Sequence, residues 1–117
     1  MIEGNVVSIW CGSFETKEEF QAAISEKYDE NGSVSSAFMT SFNIDYFDTD
    51  FQETLFQEVI TIDDLSQASY AESFIDKIKE DVLQRNNCVI FLYNYSYLGK
   101  IKNSNGLSFV GTYRYRK

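Results

Sequence analysis

Residues 88–97, Cys-Val-Ile-Phe-Leu-Tyr-Asn-Tyr-Ser-Tyr, are strongly β-prone, and a second β-prone stretch runs from Leu107 to Tyr115. Successive side chains of a strand point to opposite faces, so each stretch presents one face rich in aromatic residues. These faces consist of Val89, Phe91, Tyr93, Tyr95 and Tyr97 in the first stretch and Phe109, Gly111, Tyr113 and Tyr115 in the second. Because the linker contains the turn-prone sequence Asn103-Ser-Asn-Gly106, we predict a β-hairpin with a longish loop.

The tyrosines at the far end of this predicted hairpin have two interpretations. A tyrosine buries a large ring and still keeps a hydroxyl group for water or a partner. One interpretation is packing in the core. The other is contact with a partner, because tyrosine is enriched at binding hot spots. The partner-contact interpretation applies to Tyr95, Tyr97, Tyr113 and Tyr115.

Two further segments have strand character. Asn5-Val-Val-Ser-Ile-Trp10 is apolar on both faces, which is typical of a strand in the middle of a sheet. We expect it to lie beside one strand of the C-terminal hairpin. The segment Leu55–Ile62 is also β-prone, although Gln57 and Glu58 interrupt it. If it forms a strand, we expect that strand at an edge.

Helices are predicted where a capping residue precedes apolar residues at helical spacing. Thr16-Lys-Glu-Glu19 has the form of a capping box, and the helix after it should run to about Tyr28. Ser35 or Ser36 can cap a short second helix, and Asp63 can cap a helical turn through Ala68. Ser69-Tyr-Ala-Glu72 is a second capping-box sequence. It predicts a helix to Arg85, whose buried stripe is Phe74, Ile75, Ile78 and Val82.

The pattern as a whole predicts one α+β domain over residues 1–117. We expect a largely antiparallel sheet of three or four strands with the helices packed on one face. The composition, 44% hydrophobic and 16% aromatic, is that of a folded chain. Apolar runs are too short for a membrane helix, and the N terminus lacks the features of a signal peptide, so we expect a cytoplasmic protein. The oligomeric state stays open.

Acidic and basic residues are unevenly distributed along the chain. The net charge is −8, yet residues 86–117 contain 5 basic residues and no acids. Residues 28–76, by contrast, contain 11 acidic residues and neither lysine nor arginine. An acidic surface repels a phosphate backbone, so direct nucleic-acid binding is not expected. It attracts a basic protein partner, although acidic residues also keep a small domain soluble.

Familiar catalytic and ligand-binding motifs are missing from the sequence. The chain has no histidine, which excludes Ser-His-Asp and Cys-His arrangements, and it has no glycine-rich phosphate loop. Cys11 and Cys88 are expected to be reduced and buried. We therefore predict no catalytic residues, no metal and no cofactor. The densest carboxylate group is Asp45, Asp48, Asp50 and Glu53, which lacks a calcium-loop frame but leaves a small carboxylate-dependent enzyme as an alternative.

Five motifs in order resemble the immunity protein 22 family of bacterial polymorphic toxin systems. They are Val7-Ser-Ile-Trp-Cys-Gly-Ser-Phe14, Phe42-Asn-Ile-Asp-Tyr-Phe-Asp-Thr-Asp-Phe-Gln-Glu53, Ser69-Tyr-Ala-Glu-Ser-Phe74, Asn87-Cys-Val-Ile-Phe-Leu-Tyr93 and Leu107-Ser-Phe-Val-Gly111. The acidic and aromatic second motif is the most distinctive. The chain departs from the pattern at Ala71, where a small polar residue is expected, and in the long loop 100–105.

The resemblance implies a non-enzymatic bacterial protein that binds and neutralises a toxin domain encoded beside it. Many toxin domains are nucleases with basic clefts, which an acidic aromatic surface could block. Under this hypothesis the centre of the surface consists of Asp45, Tyr46, Asp48, Asp50 and Glu53. The alternative role of these residues is loop capping, because aspartate side chains often bond to nearby backbone amides. An acidic adaptor or DNA mimic is a further alternative, and it would need its acids spaced along one elongated face.

Overall fold

The structure, a computed structural model, describes residues 2–44 and 49–116. Its main element is a five-stranded antiparallel sheet in the order β4-β5-β1-β7-β6. These strands are β1 (Ile2–Gly12), β4 (Gln52–Phe56), β5 (Cys88–Tyr95), β6 (Asn103–Ser104) and β7 (Leu107–Arg114). A separate two-stranded ribbon joins β2 (Lys27–Tyr28) to β3 (Val34–Ser35).

The helical elements are short. The α-helices are α1 (Lys17–Ile24), α2 (Ala37–Ser41), α3 (Ile62–Leu65) and α4 (Glu80–Gln84). The 3₁₀ turns are Thr49–Phe51, Ala71–Ser73 and Ile75–Lys77. Within the described part of the chain, no helix is long and apolar enough to cross a membrane.

The predicted capping residues are confirmed for the first two helices. The hydroxyl oxygen of Thr16 accepts a hydrogen bond from the Glu19 amide at 3.1 Å, and that of Ser36 accepts one from the Met39 amide at 3.1 Å. The third helix differs from the prediction, because its capping residue is Thr61 rather than Asp63. Local sequence therefore sets where these helices begin.

The central position predicted for the N-terminal strand is confirmed, but the predicted C-terminal hairpin is wrong. Strand β1 lies between β5 and β7, and residue Val7 is opposite both Tyr93 and Tyr113. The turn-prone linker instead closes the short β6–β7 hairpin. Its turn residues Asn105 and Gly106 have φ values of 51° and 84°, which a type I′ turn requires.

Helical segments cover both faces of the sheet, so the prediction of helices on one face is wrong. One core cluster joins the sheet residues Val7, Ile9, Val89 and Phe91 to Leu65, Phe74, Ile78 and Leu83. The other joins Trp10, Ile90 and Leu92 to Phe20, Phe38, Met39 and Phe42. The physical reason is that β1 and β5 are apolar on both faces, and each apolar face must be shielded from water.

Several predicted boundaries are also corrected. The sheet has five strands rather than three or four, because the edge strand β4 and the two-residue β6 both pair with it. The conditional edge strand at Leu55–Ile62 is corrected to Gln52–Phe56, because the chain leaves the sheet after Phe56. The first helix ends at Ile24, and Lys27–Tyr28 belongs to the ribbon.

The long helix predicted from Ser69 to Arg85 is broken into two 3₁₀ turns and the helix α4. Backbone angles interrupt it at Phe74, where φ is −132°, and at Ile78, where ψ is 126°. Both side chains remain buried against the sheet, as the apolar stripe predicted. Packing on the sheet has overridden a helical propensity that is modest in this segment.

Candidate functional site

The structure places two of the five predicted acidic–aromatic surface residues. Asp45, Tyr46 and Asp48 lie outside the described residues. Asp50 lies in the 3₁₀ turn Thr49–Phe51, and Glu53 lies in the edge strand β4. Both line a cleft of about 200 Å³ that we call the acidic–aromatic cleft. Its lining consists of Asp50, Phe51, Glu53, Ser69, Tyr70, Tyr93, Asn94 and Tyr115.

Glu53 ties the edge strand to the chain segment that follows α3. One carboxylate oxygen accepts a hydrogen bond from the Ser69 amide at 3.0 Å, and the other accepts one from the Ser69 hydroxyl group. The predicted helix-capping role of Ser69 is therefore wrong, because its side chain binds Glu53 instead. As both oxygens of Glu53 are engaged by Ser69, this carboxylate is held in a fixed position.

The neighbouring Tyr70 projects an aromatic ring at the rim of the cleft. Its backbone is left-handed, with φ 59° and ψ 23°, a conformation that costs a non-glycine residue about 1–2 kcal/mol. The ring stacks on Tyr115 with centroids 4.8 Å apart and an interplanar angle of 12°. Tyr70 is 41% exposed and Phe51 is 44% exposed, so two large aromatic side chains reach solvent beside the acids.

Two buried tyrosines form the floor of the cleft. The Tyr93 hydroxyl group donates to the Ser69 carbonyl oxygen at 2.7 Å, and that of Tyr115 donates to the Asn94 side chain at 2.5 Å. Burial raises the pKa of Tyr93, and the Glu53 carboxylate raises it further. Burial also raises the pKa of Tyr115. Both phenols therefore stay protonated at neutral pH and act as hydrogen-bond donors.

Tyr95 and Tyr97 lie on the other side of the sheet from this cleft. Their exposed fractions are 7% and 6%, and both belong to the cluster around Trp10. The ring centroids of Tyr97 and Trp10 are 5.2 Å apart, and the Tyr97 hydroxyl group donates to the Ile101 carbonyl oxygen at 2.8 Å. Their burial supports the core-packing interpretation for these two rings.

A bulge explains why these rings leave the predicted face. Asn94 adopts a left-handed φ of 59°, which asparagine tolerates better than most residues, and the strand alternation changes there. Val89, Phe91 and Tyr93 consequently face one cluster, whereas Tyr95 and Tyr97 face the other. An irregularity in β7 likewise separates Phe109 from Tyr113 and Tyr115. The predictions that each set shares one face are wrong.

Tyr113 lies on the same side of the sheet as the acidic–aromatic cleft but does not line it. Its ring is half-buried, stacks near Phe74 at 6.4 Å and covers Gly111. A Cβ atom on Gly111 would come within 2.9 Å of the Tyr113 hydroxyl oxygen. Burial raises the pKa of Tyr113. The ring therefore forms part of the border of the core.

Sequence reasoning missed several residues of the cleft. Ser69 and Tyr70 match a helix-capping pattern, and nothing local indicates that a glutamate 16 residues before Ser69 binds that serine. Phe51 belonged to the predicted acidic motif, but its exposure depends on the fold. Asn94 was placed on a regular strand, although asparagine in an apolar strand is a signal for a bulge.

The carboxylates of the described residues do not form a metal-binding cluster. No group of three or more cysteine, aspartate or glutamate side chains within residues 2–44 and 49–116 could hold a metal ion. Glu53 is engaged by Ser69 through both oxygens, so it is poorly placed to exchange a proton with a substrate. The arrangement of acids beside exposed rings is better suited to binding than to proton transfer.

Comparison with known proteins identifies the family. The model of the family described as Immunity protein 22 matches residues 7–116. The chain belongs to the Immunity protein 22 family. The match includes every residue that lines the acidic–aromatic cleft, so this cleft is part of the family domain. No curated protein and no solved structure matches this Immunity protein 22 chain.

Proposed function

We propose that this Immunity protein 22 family member binds and neutralises a toxin domain encoded beside its gene, and that it does so without catalysis. The acidic–aromatic cleft is the proposed centre of the contact. The observation that carries the proposal is the presence of two carboxylates next to two aromatic rings that are each more than 40% exposed. Exposed aromatic residues around a partly buried floor are typical of binding hot spots.

The chemistry of the cleft favours a basic partner group. A lysine or arginine side chain would meet the charge of Asp50 and could lie against the Tyr70 or Phe51 ring in a cation–π contact. The segment of the chain that contains Asp50 and Glu53, residues 28–76, has neither lysine nor arginine. Toxin nucleases hold their anionic substrate in basic clefts, so such a cleft is the proposed target. The proposal places this binding in the cytoplasm.

Asp50 and Glu53 have different roles in the proposal. Glu53 is engaged by Ser69 and therefore acts mainly by positioning the residue next to Tyr70, whose ring stacks on Tyr115. Asp50 and Tyr70 are the residues that contact the partner. We extend the same surface along the chain to Asp45, Tyr46 and Asp48, which precede Asp50 in the sequence.

The test is a calorimetric titration against the C-terminal toxin domain of the large protein encoded beside this gene, with toxin activity measured in parallel. Unaltered protein should bind tightly and abolish the activity. The double variant Asp48→Lys, Asp50→Lys and the single variant Tyr70→Ala should each weaken binding by more than about tenfold. Circular dichroism would establish that both variants are folded.

The matched control is Glu30→Lys, which reverses an exposed acid in the β2–β3 turn, away from the cleft. It should change the affinity by less than about twofold, because distant surface charges are screened by salt. If unaltered protein gave no heat of binding and left the toxin active, the proposed function would be wrong. If the unaltered protein bound the toxin, and the double variant and the Tyr70→Ala variant bound it equally well, the cleft would not be the contact.

A further inference from the structure

The outer edge of β7 is open along most of its length. Strand β6 pairs with β7 only at Leu107 and Ser108, and the Lys102 carbonyl oxygen accepts a hydrogen bond from the Phe109 amide at 2.7 Å. Beyond Phe109, β7 has β1 on one side and no strand among the described residues on the other. An open strand edge presents unpaired backbone donors and acceptors.

The direction of individual backbone groups follows from one hydrogen bond. The Tyr115 amide donates to the Asn5 carbonyl oxygen at 3.0 Å and therefore faces β1. Because backbone groups alternate in direction along a strand, those of Thr112 and Arg114 face the open edge. The Arg116 amide, next in the outward series, donates to the Ser73 hydroxyl oxygen at 2.9 Å. Ser73 therefore closes one end of the edge, and β6 closes the other.

This edge opens into a cleft with a positive lining. The cleft has a volume of about 830 Å³, and its charged lining residues are Glu72, Lys77, Arg114 and Arg116. We call it the cationic cleft. The Arg114 side chain is 79% exposed and lies 3.8 Å from the Glu3 carboxylate. Because this ion pair is exposed to solvent, it offsets little of the positive charge of the arginine. Within the described residues, no carboxylate pairs with Lys77 or Arg116.

We propose that the open edge of β7 accepts an extended, acidic segment of the toxin as an added strand. Backbone groups of Thr112 and Arg114 pair with the segment, and its carboxylates face the cationic cleft. The space between β6 and Ser73 suits a strand of about five residues. This inference rests on the proposed function and specifies the chemistry of the same partner.

The two clefts together would fix how the partner docks. Tyr115 lines both the acidic–aromatic cleft and the cationic cleft, so surfaces of opposite charge adjoin there. A partner must then present a basic group and an acidic strand side by side. Paired charges of opposite sign set orientation and penalise partners with the reverse arrangement.

Amide hydrogen exchange, followed by NMR on the free protein and on its complex with the toxin domain, tests the strand addition. The amides of Thr112 and Arg114 should exchange rapidly in the free protein and about a hundredfold more slowly in the complex. The amides of Tyr113 and Tyr115, which face β1, should be protected in both. This alternating gain of protection is specific to strand pairing, because a partner that simply covered the surface would not protect every second amide selectively.

Charge reversal provides a second measurement. The double variant Arg114→Glu, Arg116→Glu should weaken toxin binding by more than about tenfold, whereas Lys27→Glu, an exposed control outside both clefts, should change it little. A complex that forms without new protection at Thr112 and Arg114 would overturn the inference while leaving the proposed function intact. So would protection that grows with protein concentration in the absence of toxin, because the edge would then pair with a second copy of this chain. A failure to form any complex would refute the proposed function, and the inference with it.

Discussion

Replacing Ser8 with alanine should destabilise this protein more than its small size suggests. Ser8 is completely buried in β1. Its hydroxyl group donates to the Tyr95 carbonyl oxygen at 2.7 Å, and its oxygen accepts from the Tyr97 amide at 3.0 Å. Because its one proton is given to Tyr95, the contact with the Thr112 hydroxyl group at 2.9 Å must have Thr112 as donor. The hydroxyl group of one serine thus forms hydrogen bonds with two backbone groups that follow the Asn94 bulge.

The magnitude follows from what the Ser8→Ala variant leaves behind. The Tyr95 carbonyl and the Tyr97 amide would both lose this partner in a buried position. Loss of a hydrogen bond costs a buried polar group about 1–3 kcal/mol, so the free energy of unfolding should fall by about 3 kcal/mol. For a domain of this size, that corresponds to a decrease in Tm of roughly 10 °C. It is a large share of a typical total stability of about 5–15 kcal/mol.

Urea unfolding provides the assay, because the single tryptophan, Trp10, is fully buried and its fluorescence reports on the core. The matched control is Thr112→Val, which removes one hydroxyl contact but leaves both backbone groups paired with Ser8. It should cost less than about 1 kcal/mol. If Ser8→Ala cost no more than this control, the reasoning that Ser8 supports the bulge would be refuted.

Two further predictions concern the close packing of Gly12 and the burial of the two cysteines. Gly12→Ala should lower the free energy of unfolding by about 2 kcal/mol, since its Cβ would lie 2.4 Å from the Gly106 carbonyl oxygen, whereas Gly4→Ala, with open space around it, should change it little. Equal effects in urea unfolding would contradict this. Burial raises the pKa of Cys11 to about 11 and of Cys88 to about 12, so neither thiol should react with a disulfide reagent at pH 8 unless the protein unfolds. Because the folded state keeps these thiols protonated, the free energy of unfolding should fall as the pH rises above about 9, where thiols of the unfolded chain ionise; a flat profile would count against their burial.

The sequence alone was sufficient to predict those structural features whose physical cause lies within one short segment. The strands near Trp10 and Tyr93 follow from local apolar patterns, and the helix starts at Thr16 and Ser36 follow from a side chain bonding to a nearby amide. The family resemblance also came from segments read one at a time, and the match over residues 7–116 confirms it. Each of these features depends on neighbours within a few residues.

The acidic–aromatic cleft was predicted only in part. Asp50 and Glu53 were singled out by their local density of charge, and both line the cleft. Tyr70 was assigned to a helix from its capping-box sequence. Its observed position depends on distant residues, because Glu53 holds the adjacent Ser69 and Tyr115 stacks on the Tyr70 ring. Tyr97 was a candidate for the surface, but the bulge at Asn94 turns its ring into the core.

By itself, the sequence determined the α+β class, the central first strand and the family to which the chain belongs. Only the tertiary structure decided that β1 separates the two C-terminal strands and that helical segments cover both faces of the sheet. The physical reason is that strand order and layer packing depend on burying apolar faces from distant parts of the chain together. Local patterns indicate which faces are apolar, but they do not indicate which segments of the chain cover those faces.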